Sequence, residues 1–145
     1  MTPRALATKL AEFAISRKAS DVVLMDLKKF SGPADYFVIC TADSDTQVKA
    51  IADAVRRGTE ELGMPVWHVE GLQALSWVLL DYVDVVLHIF LRETRSFYNL
   101  ERLWNDAKLY PVIDTPNGVK VSRKSVSLTQ TNGDRKRRVG TLRAS

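Results

Sequence analysis

Two carboxylates three residues apart, Asp81 and Asp84, are the first candidates for chemistry in this chain. Metal-dependent nucleotidyl transfer needs two carboxylates projecting together from one strand, usually with one residue between them, beside a Gly-Ser loop that holds phosphate. A spacing of three sends Asp81 and Asp84 to opposite faces of a regular strand, and only a bend could reunite them. Ser31-Gly32 precedes Asp35, but the order is reversed and Pro33 removes an amide that could have bound phosphate. His68 and His88 stand in separate apolar runs, with no cysteine or second histidine at zinc-ligand spacing. The single cysteine, Cys40, lies inside the apolar run YFVICT, where a buried, inert thiol is expected. No catalytic residue, cofactor or metal site is therefore expected.

The same region suits binding better. Residues 66–104 concentrate the apolar residues, aromatics and paired acids of the chain. Residues 77–80 and 85–91 are rich in β-branched and aromatic side chains and read as two strands of a hairpin, with Asp81-Tyr82-Val83-Asp84 as its tight connection. Along the first strand Trp77, Leu79 and Asp81 alternate onto one face, where an aromatic, an aliphatic and a carboxylate would stand side by side. Tyr82 and Asp84 at the tip, and Glu70 just upstream, would extend that surface. Such mixtures make interface hot spots, and the acids would complement a basic partner. Trp77 as a plain core residue is the competing reading.

The remaining elements must position this hairpin. Leu6, Leu10, Phe13 and Ala14 keep helical period behind Pro3, which predicts a first helix ending near Ala19. Residues 22–27 and 36–41 read as strands. Ser44 followed by Gln47 is a capping-box pattern, and Val48, Ile51, Ala52, Val55 and Leu62 give the helix behind it one apolar face, until Gly63 and Pro65 end it. A further strand covers residues 66–69. After the hairpin, Phe97, Leu100, Leu103 and Trp104 recur at helical spacing, with Thr94 as N-cap, predicting a helix folded back on the sheet. The expected fold is α/β, a mixed five-stranded sheet with packed helices.

The chain of 145 residues is long enough for one domain with a substantial core. Its net charge of +4 averages two unlike parts. Eight Lys and Arg face one acid after residue 115, whereas thirteen face sixteen acids before it. Residues 1–115 are expected to form the domain and residues 116–145 a basic, disordered tail, too poor in apolar side chains to offset its ordering entropy. The tail either contacts RNA phosphates or serves only solubility. No run approaches the roughly 20 apolar residues of a membrane span, and no signal segment begins the chain, so a soluble, cytoplasmic protein is expected.

Taken in order, DYFVICT (35–41), QVKAIAD (47–53), HVEG (68–71), WVLLDY (77–82), DVVLHIF (84–90) and FYNLERLW (97–104) resemble the ribosomal silencing factor family, also called Iojap-like. The resemblance covers roughly residues 6–107. It implies a nucleotidyltransferase-like fold without that activity, and a homodimer when free. It also implies repression of translation: binding of the large ribosomal subunit through ribosomal protein uL14, so that the small subunit cannot join. A nucleotidyltransferase-like enzyme and an RNA-binding module are the alternatives. One departure concerns the hairpin tip, where the family usually has glycine and this chain has Val83, a residue that resists positive φ.

Overall fold

The structure is a computed structural model that describes residues 1–126. In chain order it contains α1 (Pro3–Ile15), β1 (Ser20–Asp26), β2 (Tyr36–Ala42), α2 (Asp45–Glu61), β3 (His68–Glu70), β4 (Trp77–Asp81), β5 (Val85–Leu91), α3 (Arg92–Tyr98), α4 (Leu100–Leu103), β6 (Lys108–Thr115) and β7 (Gly118–Val121). The strands make one mixed sheet in the order β3-β4-β5-β2-β1-β6-β7. Only the central β2–β5 pair is parallel, in register from Tyr36 opposite Val85 to Ala42 opposite Leu91; its neighbours pair antiparallel.

The sheet has seven strands rather than the expected five. The five strands foreseen are present, with small shifts of boundary. The two missed are β6, whose sequence KLYPVIDT is interrupted by Pro111 and has no clean alternation, and β7, only four residues long. Pro111 cannot donate to the ladder, but it lies where the β6–β7 pairing ends, and its carbonyl still accepts the Ser122 N–H at 2.8 Å. The β6–β7 hairpin also crosses the domain boundary drawn at residue 115, so residues 118–121 belong to the sheet and not to a tail. The chain then returns along β6, with Val126 bridged to Leu109. The stretch from 127 onward lies outside the described residues.

Helices α1 and α2 cover one face of the sheet. Leu6, Leu10 and Ala14 of α1 and Val48, Ile51 and Val55 of α2 meet Leu24, Val38, Cys40, Leu80, Leu87 and Ile89 in the larger core cluster. The helix ends follow the sequence closely. Thr2 accepts the Ala5 N–H at 3.1 Å, and Ser44 accepts the Gln47 N–H at 3.1 Å. Gln47 completes the cap one residue early, accepting from the Asp43 N–H, while its amide donates to the Arg17 and Lys18 carbonyls at the end of the α1 turn. One side chain thus satisfies groups at two helix ends. At the other end of α2, Gly63 at φ +76° and Met64 donate back to Glu60 and Thr59, a Schellman closure that needs the glycine.

The second face holds a smaller cluster of Met25, Leu27, Ile39, Phe90, Leu100 and Leu109, with Phe37, Trp77 and Trp104 packed against it. Here the expected single helix capped by Thr94 is broken. It begins directly after β5 at Arg92, and Asn99 at φ +48° divides it into α3 and α4. The break turns the apolar stripe. Leu100 is buried and Trp104 packs on Phe30, but Phe97 and Leu103 are 78% and 72% exposed.

Candidate functional site

Strand β4 carries the candidate surface because it alternates cleanly: Val78 and Leu80 are fully buried toward the helices, while Trp77, Leu79 and Asp81 face the other way, half-buried. Register extends that face sideways. Leu79 stands opposite His88 on β5 and Glu70 on β3, and Asp81 stands opposite Val86 and His68. Directly opposed residues in a sheet share a face, so Trp77, Leu79, Asp81 and Glu70 come together as expected. They lie near the β3 edge of the sheet, and Glu70 also pairs with His68 at 2.9 Å.

Tyr82 does not join them. It continues the alternation onto the helix face with Val78 and Leu80, only 8% exposed, with its hydroxyl 2.8 Å from Thr59 Oγ1 on α2. Burial raises its pKa, opposed by that hydrogen bond. It is a pin between hairpin tip and helix. Asp84 is exposed at the tip, and its carbonyl accepts the Asp35 and Tyr36 N–H groups at 2.7 and 3.2 Å, tying the tip to the start of β2.

The tip itself is strained. Val83 has φ +75° and is bracketed by an Asp84 N–H to Tyr82 C=O bond of 3.0 Å, a three-residue γ-turn, while its own N–H donates to Asp81 Oδ1 at 2.7 Å. A β-branched residue is thus held at positive φ, where glycine would sit without strain. Val83→Gly is expected to stabilise the fold by about 1 kcal/mol, the relief of left-handed strain less the added entropy of the unfolded chain. Urea denaturation measures it. Upstream, Gly71 at φ +91° is required for a different reason: a Cβ there would come within 2.0 Å of the Trp77 carbonyl oxygen, so this glycine lets the loop cross the root of β4.

Trp77 is the centre of an aromatic group. Its ring lies 4.8 Å from both Phe90 and Tyr98, and its Nε1–H donates to His88 Nδ1 at 3.1 Å. Indole nitrogen only donates, so His88 Nδ1 must accept; the neutral tautomer with hydrogen on Nε2 follows. Burial pushes the His88 pKa down to about 3. Between pH 6.5 and 3 the unfolded chain takes up a proton at this ring that the folded chain refuses, so acidification destabilises the fold. This group's share is about 1.4 kcal/mol per pH unit, and it should vanish from denaturation curves of His88→Phe.

Sequence reasoning missed His88 as part of this face, although its position two residues before Phe90 in β5 fixes its side. It also missed Tyr98, whose role depends on the break at Asn99. Cys40 is fully buried with its pKa raised to about 12 by desolvation, an unreactive thiol. Among the described residues no group of three or more His, Cys, Asp or Glu could hold a metal ion. Nor is any helix long and apolar enough to cross a membrane.

Comparison with known proteins gives one family. The sequence profile described as "Ribosomal silencing factor during starvation" matches residues 1–139. The ribosomal silencing factor of Bacillus subtilis is 45% identical over 93 residues, 64% of this chain and 79% of that protein. A crystal structure of a Chromobacterium violaceum protein superposes with a TM-score of 0.70 at 32% identity, covering 72% of this chain and 87% of the other. One from Bacillus halodurans superposes with a TM-score of 0.64 at 37% identity, covering 70% and 94%.

Proposed function

This chain belongs to the ribosomal silencing factor family, and from that premise we propose that it represses translation in the cytoplasm by binding the large ribosomal subunit through uL14 and excluding the small subunit. The names of its relatives describe a regulatory role rather than an enzymatic one. On this reading the sheet is a nucleotidyltransferase-like scaffold put to binding, and the free protein is a homodimer. The observation that carries it is the face where Trp77, Leu79, Asp81 and Glu70 stand together and remain partly or fully exposed. Tyr98, 49% exposed, and Phe97 continue it with aromatic surface. Exposed aromatics in contact with one another and rimmed by acids fit a basic protein partner.

Silencing of this kind needs no bond to be made or broken. A body seated on the joining face excludes the other subunit by volume, and an interface of roughly 800 Å² per partner suffices for a specific complex. Isolated large subunits should carry the protein into the pellet on sedimentation, and small subunits added afterwards should fail to form joined particles. Normal joining at saturating protein would refute the proposal.

Contact between the C-terminal basic residues and ribosomal RNA belongs to the same reading. Because β7 lies in the sheet, the informative truncation follows Val126, which removes five Lys and Arg and one acid. If all five engage phosphates, the slope of log affinity against log salt should fall by roughly 4 on truncation. An unchanged slope removes the RNA contact.

A further inference from the structure

Beside the docking face lies a groove of about 200 Å³ between strands β4 and β5 and the loop that leads into β2. Leu27, Phe30, Phe37, Leu79, Val86 and Trp104 give it apolar walls, and Asp81 stands among its lining residues. His88 also lines it, 3% exposed. Trp77 occupies Nδ1, so the nitrogen left over is Nε2, which carries hydrogen, is buried and has no partner among the described residues. A buried donor left unsatisfied is costly, and a ligand with an acceptor at this point would recover that cost.

We propose that this groove receives one large apolar side chain from a basic protein segment, and that His88 Nε2–H donates to a main-chain carbonyl of that segment. The proposal rests on the docking reading above and names the contact at its centre. The chemistry selects the occupant. Apolar walls with a single donor suit a side chain and the peptide carbonyl beside it. The acids around it, Asp81, Asp84 and Glu70, favour flanking Lys or Arg and oppose phosphate.

Two variants of the full chain test it. His88→Phe keeps a ring and removes the Nε2 donor together with the acceptor of the Trp77 Nε1–H, whereas Gly32→Trp leaves that bond in place. Gly32→Trp lays a bulky side chain at the groove from a position where an added Cβ meets no atom within 4 Å, so folding is not at stake. Each is sedimented with intact large subunits and with large-subunit RNA stripped of protein, and its self-association is measured by equilibrium sedimentation. The proposal expects wild type to pellet with intact subunits, both variants to bind at least tenfold more weakly, and stripped RNA and self-association to be indifferent to either change. Should His88→Phe fail to fold, Gly32→Trp decides alone. If wild type pellets and the folded variants match it, the groove is empty in the complex and the proposal is wrong while docking stands. If wild type does not pellet, the docking reading has failed and takes this one with it. Sensitivity on stripped RNA alone, or in self-association alone, assigns the groove to a nucleobase or a second copy and overturns it too.

Discussion

Trp77→Ala is expected to weaken binding to isolated large ribosomal subunits by about 2 kcal/mol, near thirtyfold, while the protein stays folded. The size of the effect follows from the ring's position. It is the largest partly exposed side chain on the β4 face, held by Phe90 and Tyr98 and oriented by its hydrogen bond to His88. Truncation removes contact area and also releases its neighbours. Because Trp77 packs on the smaller core cluster, the variant should melt at a lower temperature with an unchanged far-ultraviolet spectrum at 25 °C. Trp77→Phe keeps most of the packing and loses the donor, so it should bind with intermediate affinity. Cosedimentation and circular dichroism on the same preparations decide the matter. Unfolding of the alanine variant at assay temperature would make Trp77 a core residue and move the docking surface elsewhere.

Arg95→Ala is expected to cost about 3–5 kcal/mol of stability, a large share of what a domain of this size possesses. Arg95 lies in α3 and is only 4% exposed. Its Nε and one terminal nitrogen donate to Glu101 Oε2 at 3.1 and 2.7 Å, and the other terminal nitrogen donates to Thr41 Oγ1 at 2.8 Å and the Asp21 carbonyl at 2.6 Å. It therefore joins α3 and α4 to β1 and β2. Removing it strands Glu101, 9% exposed and already holding one unpartnered oxygen, as a buried charge without a counterion. Replacing both partners, Arg95→Met with Glu101→Leu, should recover most of the loss, because no charge then remains to be desolvated. Urea titrations of the three proteins test this; a single-variant cost below about 1 kcal/mol would show that the pair holds nothing together.

The ion pair was illegible in the sequence, and its invisibility has a physical cause. Arg95 and Glu101 are six apart, outside the spacings at which helical side chains meet, and only the left-handed turn at Asn99 brings them together. The same turn explains why the apolar stripe of residues 97–104 pointed to one buried helix, whereas Phe97 and Leu103 stand in solvent. Where local chemistry acts alone, the reading was sound: the Ser44 cap, the Gly63 stop and the alternation of Trp77, Leu79 and Asp81 all depend on residues within a few positions of one another. Tyr82 departs from the expected surface because the alternation runs on through it: like Val78 and Leu80 it points to the helices, where Thr59 holds its hydroxyl. Strand β6 escaped because pairing on both sides compensates for a sequence whose own propensity is weak, with Pro111 in its middle.

The parallel joining of β2 to β5 sets the order in which this molecule can come into being. Every residue of β2 finds its partner some fifty positions later, beyond α2 and an entire hairpin. An amino-terminal fragment ending before Val85 therefore holds two helices over a floor that lacks the strand joining its two halves, and limited proteolysis should find no stable intermediate of that length. Folding must be a late, concerted event, slow by the standards of helical proteins of equal size.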